Sequence, residues 1–140
     1  MARLKQAAAV LLVIVCGSVT LAQVEPELTV KEIMNGIITP TTNTIWGAYQ
    51  LQTDAQWQEV QNAALAVIGA GNLLALGGSA PGEPAIAAED AWREYNEQMI
   101  AAAREVLVAV AEKDEEALSN AGNNSLYPPC ESCHKQYQQR

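Results

Sequence analysis

Apolar residues recur every three or four positions through most of this chain, and that spacing admits one kind of regular backbone. Trp57, Val60, Ala64, Val67, Gly71 and Leu74 follow one another in this way, which puts all six on one face of an α-helix. Trp92, Tyr95, Met99, Ala102, Val106 and Ala109 repeat the pattern, and Met34, Ile38, Thr41, Ile45 and Ala48 form a third stripe nearer the N-terminus. Strand-forming runs are scarce beyond the first thirty residues. Much of the 49% hydrophobic content is alanine, and there is no Phe. Alanine has the highest helix propensity and a small side chain, so such faces suit closely packed helices. The expected fold class is all-α.

Capping signals mark the segments. Thr29 with Glu32, and Thr53 with Gln56, fit capping boxes in which side chains satisfy the first free backbone N–H groups. Pro40 lies inside the first segment and should kink or interrupt it near Ile38 to Thr39. The run 77–84, rich in Gly and Pro, ends the second segment as the one long loop. The third runs from about Ala85 to Lys113, with Glu89, Asp90, Glu94 and Glu97 off its apolar stripe as a solvated face. The fourth starts near Asp114. Gly122-Asn123-Asn124 and Pro128-Pro129 predict a break after Ala121 and a fresh helix to about Gln138. Four amphipathic segments, two short connections and one loop predict an antiparallel four-helix bundle. A chain of 140 residues suits a single domain.

Residues 1–22 read as an export signal peptide, leaving 23–140 as the domain. Arg3 and Lys5 precede the apolar run Ala7 to Val15, and Thr20-Leu21-Ala22 offers small residues for cleavage. The stretch from Ala7 to Ala22 falls short of the ~20 residues that span a bilayer comfortably. An uncleaved anchor, or lipidation of Cys16, are the competing readings. Bulky Val15 before Cys16 argues against the latter. Losing Arg3 and Lys5 takes the formal net charge from −8 to −10. That charge argues against binding nucleic acid or an anionic membrane, and it favours partners with a basic docking patch.

The mature chain keeps two cysteines, in Cys130-Glu131-Ser132-Cys133-His134. This C-x-x-C-H pattern is an attachment motif for c-type haem. Thiols three positions apart lie on one side of a helix, where both can reach the vinyl groups along one porphyrin edge. His134, next in sequence, can then act as proximal iron ligand. A thioredoxin-like redox pair would follow a strand in a βαβ setting, and none is expected here. A zinc site would want a fourth Cys or His, but His134 is the sole histidine. One covalently attached haem c is therefore the expected cofactor. Covalent attachment of this kind and an export signal together point to the bacterial periplasm.

A haem motif closing a four-helix bundle resembles the cytochrome c′ group, the class II c-type cytochromes, including their low-spin relatives. The resemblance covers about Thr29 to Tyr137. Its most specific part is Cys130-x-x-Cys133-His134 followed by Lys135-Gln136-Tyr137, since an aromatic at that offset is common in the group. Trp92 to Asp114 and Gly122 to Tyr127 also resemble it in spacing. Members often carry an Arg just after that aromatic and another before the distal position, where this chain has Gln138 and Val30. The group's frequent pairing through the first two helices implies a homodimer.

The sixth iron position separates two functions. In an up-down-up-down bundle the start of the first helix lies level with the end of the last. Met34 and His134 then sit at similar heights, at ~1.5 Å per residue. In low-spin relatives a Met in this region ligates iron, which makes Met34 the candidate distal ligand; the competing reading is simple packing. With both ligands the protein is an electron carrier. With a vacant apolar site it would bind nitric oxide or carbon monoxide. Met99 reads as core. Trp46, Trp57, Trp92 and Tyr127 are candidates for either core or haem pocket, and Gly71 for close approach of either the haem or a helix. No acid–base or nucleophilic set stands out, so no enzyme activity is expected.

Overall fold

The structure is a computed structural model and describes residues 24–138. The proposed signal peptide 1–22, with Cys16, lies outside the described residues. Every regular element described is helical, as the stripes require. Helix α1 joins Val30–Ile33, a π-helical turn Met34–Ile38, and Thr39–Trp46. Helix α2 is Asp54–Leu74, α3 the short Glu83–Ala87, and α4 Asp90–Glu112. Helix α5 joins Glu115–Asn120, a second π-helical turn Ala121–Leu126, and Tyr127–Tyr137. Among the described residues no helix is long and apolar enough to cross a membrane.

Both predicted capping boxes form. Thr29 Oγ1 accepts from Glu32 N–H while Glu32 accepts from Thr29 N–H at 2.8 Å. Thr53 and Gln56 make the equivalent pair. Glu32 accordingly sits below the usual carboxylate range, held there by its bonds to Thr29.

The predicted interruptions take another form. Neither Pro40 nor Pro128-Pro129 ends its helix; each follows a π turn that ends two residues earlier. Thr39 N–H donates to Met34 O and Tyr127 N–H to Gly122 O, each five residues back. A proline ring collides with the carbonyl four residues back. Those carbonyls, on Gly36 and Asn124, lie inside the widened turns, where the extra residue relieves the collision. The turns also reset the buried face. Ile33 and Ile38 are five apart, as are Ala121 and Leu126, yet all four are buried. The inward residue after the first turn is Thr42, rather than the expected Thr41, which is only half-buried.

The expected third helix is split. Gly82 takes a left-handed φ of 88° and opens α3, and Glu89 is extended before α4. Glu89 accepts from Tyr137 Oη at 2.8 Å. The loop is held from two sides: Ser79 N–H donates to Leu28 O, and Glu83 accepts from Val30 N–H and Ala80 N–H, both at 3.1 Å. Gly78 is required there, since a Cβ would meet Val30 N at 2.6 Å.

All six predicted α2 residues are buried, as are five of the six on α4. Ala63, Ala64 and Ala70 of α2 and Ala102, Ala103 and Ala109 of α4 are core residues. Trp92 Nε1–H donates to Leu74 O at 2.9 Å, Asn96 Nδ2–H to Gly71 O at 2.9 Å, and Lys113 pairs with Asp54 at 2.6 Å. Contacts thus run up one helix and down the other. Gly71 is explained by the same approach, because a Cβ there would meet Ile100 Cγ1 at 2.5 Å. Glu89, Asp90, Glu94 and Glu97 are exposed, as the solvated-face reading expected.

Candidate functional site

Cys130, Cys133 and His134 occupy the last helical stretch, Tyr127–Tyr137. Its C-terminal end is tied to α4 by side chains. Tyr137 packs edge-on against Trp92 with centroids 5.2 Å apart, and Tyr95 Oη donates to Gln136 Oε1 at 3.2 Å. On its outer side Lys135 pairs with Glu131, at 2.9 Å and one helical turn apart.

This stretch lines a partly open cavity. Cys130, Cys133 and His134 line one cavity together with Met34 and Trp46 of α1, and with Trp92 and Met99 of α4. Its volume is about 140 Å³. It adjoins a wider cleft of about 700 Å³, and the two share Met34, Thr39, Trp92, Cys133 and His134. The three motif residues and Met34, one hundred positions away, therefore meet at one place. His134 is exposed at its mouth, and Met34 is half-buried.

Both cysteines are free thiols. Burial pushes the Cys130 thiol up to about 11, with the nearby Cys133 adding to the rise. Burial also raises Cys133. Both are therefore protonated, weakly nucleophilic sulfurs at neutral pH. Among the described residues, no group of three or more His, Cys, Asp or Glu side chains could hold a metal ion by itself.

The aromatic candidates divide. Trp46 and Trp92 line the cavity. Trp57 belongs to the core, and Tyr127 stands outside, edge-on to Trp46 with centroids 6.2 Å apart. Met99, read as core, is both core and cavity wall. Gly71 serves the α2–α4 contact and does not line the cavity.

Sequence reasoning missed Asn96. It lies four residues after Trp92 and three before Met99, so the helical period already put it on the cavity face. It is buried; its Nδ2–H donates to Gly71 O while its Oδ1 has no partner. Thr42, Asn43 and Pro129, also in the lining, carried no comparable signal. No family model, curated protein or solved structure matches the chain, so the reading of the site rests on its own residues.

Proposed function

We propose that this protein is an exported c-type cytochrome that carries electrons in the bacterial periplasm. Its four long helices make an antiparallel bundle around one haem. Cys130 and Cys133 hold the haem as thioethers, His134 is the proximal iron ligand and Met34 the distal one. The observation that carries the reading is the meeting of Met34 with Cys130, Cys133 and His134 around a single cavity.

The residues fit such a group. The cavity walls include Ile38, Leu74, Trp92 and Met99, which suit the apolar face of a porphyrin. The adjoining cleft brings in Lys31, Asn35 and Gln138, a more polar surround for carboxylate groups, together with Glu83, whose carboxylate is engaged by Val30 N–H and Ala80 N–H. Bound there, haem iron supplies one-electron chemistry by alternating between ferrous and ferric states. The protein's own part is to hold ligands and keep water out. Trp92 is fixed by its bond to Leu74 O and by Tyr137, so it makes a rigid wall. Methionine sulfur favours reduced iron and raises the potential.

Mass measurement under denaturing conditions tests attachment: the expected result is one haem added to the mature chain, and its absence removes the proposal. Absorption of the ferric protein tests the distal ligand. The long-wavelength band of sulfur-to-iron ligation should be present and should vanish in Met34→Ala. A high-spin spectrum unchanged by that substitution favours the second reading, a binder of nitric oxide or carbon monoxide. That reading draws on the apolar Ile38 and Met99 in the same wall.

A further inference from the structure

The distribution of charge is uneven in a way the haem reading does not use. Between Glu32 and Asp54 the sequence has no charged residue, and between Glu116 and Glu131 it has none again. A chain that is 17% charged would be expected to place several charges in either run. The fold brings the two runs together. Trp46 Nε1–H donates to Gly122 O at 2.9 Å, and a Cβ on Gly122 would meet Trp46 Cδ1 at 3.3 Å. Tyr127 lies edge-on to the same indole. Large aromatic side chains are nevertheless left in solvent: Trp46 is 40% exposed, Tyr49 73% and Tyr127 50%. Asn43, Asn123, Asn124 and Pro128 are exposed on these runs too. Trp46, Tyr49, Asn123 and Glu115 line a recess, where the Glu115 carboxylate is tied to Gln50 N–H and Leu51 N–H.

Exposed aromatics without charges are the composition of an interface centre, which a polar rim normally surrounds. In sequence the residues bounding both runs are acidic, Glu32, Asp54, Glu116 and Glu131; Asp54 and Glu131 pair with Lys113 and Lys135, which leaves this set net acidic. Trp46 also lines the cavity that holds Cys130 and Met34, so one indole spans cavity wall and surface.

We propose that this aromatic face of α1 and α5 is the docking surface for a redox partner protein, and the place where electrons enter and leave. The partner is recognised by an apolar, uncharged contact face rimmed by basic residues. The acidic surround steers it, and Trp46, Tyr49 and Tyr127 make the contact. The inference rests on the cytochrome reading.

Hexacyanoferrate(III), a small anionic oxidant, serves as the probe. It takes one electron from the reduced protein and becomes hexacyanoferrate(II). Asn123→Lys places a positive charge in the recess, and Asn62→Lys places the same charge on the exposed side of α2. The expected result is oxidation about threefold faster for Asn123→Lys at low ionic strength, fading at high salt, with little change for Asn62→Lys. Equal effects of the two variants overturn the docking proposal. Sedimentation equilibrium gives the second readout: a monomer, or a dimer that Asn123→Lys leaves intact, is the expected result. A wild-type dimer that Asn123→Lys dissociates means that a second copy covers the face, and also overturns it. A chain without added haem mass overturns both readings, and is seen before any rate is measured.

Discussion

Replacing Gly71 by alanine tests the close contact on which the α2–α4 pair depends. In an exposed helix interior the change would stabilise, because glycine costs about 1 kcal/mol relative to alanine. Here the new Cβ would meet Ile100 Cγ1 at 2.5 Å and Cδ1 at 2.8 Å, with Asn96 Oδ1 at 3.3 Å. Contacts that short require the Ile100 side chain or the helices to shift, and overpacking of this kind costs roughly 1–3 kcal/mol. Taking about 2 kcal/mol for strain against about 1 kcal/mol of propensity leaves a net loss of about 1 kcal/mol. For a domain of this size that is a fall in Tm of about 4 °C. Guanidinium unfolding followed by circular dichroism measures it. The cycle is completed by Ile100→Ala, which removes the colliding atoms. In that background Gly71→Ala should stabilise by about 1 kcal/mol, a coupling of about 2 kcal/mol between the sites. A wild-type background in which Gly71→Ala raises stability, or a cycle without coupling, refutes the reasoning.

Two further perturbations probe the thiols and the start of α2. In protein produced without haem, iodoacetamide should alkylate Cys130 far more slowly at pH 8 than it does an unfolded chain, because burial holds that thiol near 11 rather than its ordinary 9. A raised thiol pKa favours the folded state below pH 9, so stability should fall as pH rises from about 9 through about 11. Equal alkylation of folded and unfolded chains would contradict this. Thr53→Ala removes one half of the second capping box and should cost about 1 kcal/mol of unfolding free energy, with Thr53→Ser close to wild type.

Much of the fold was legible because α2 and α4 bury one face each over more than twenty residues. Long amphipathic periods survive small errors of phase, and Thr53, Trp57 and Trp92 fall where the pattern expected them. The first and last helices were less legible for a shared reason. Proline and glycine in the sequence announce a disturbance but not its shape. Around Pro40 and Pro128 the chain adds a residue to a turn and continues, where a kink or interruption near Ile38 to Thr39 and a break after Ala121 were expected. The split between α3 and α4 was missed because Ala85 to Lys113 contains no Gly or Pro of its own. The break at Glu89 instead accompanies a long-range bond from Tyr137.

By itself, the sequence determined that this chain is helical and which residue types the site offers. Helical period is a local property, and the spacing of Cys130, Cys133 and His134 lies within a single turn and a half. Tertiary structure alone decided what stands across from them. Met34, Trp46 and Asn96 come from distant segments, and only the packing of α1 and α4 against α5 brings them to one cavity. It also decided that two uncharged runs, separate in sequence, make one aromatic face. Burial and proximity are sums over the whole chain, and no local pattern carries them.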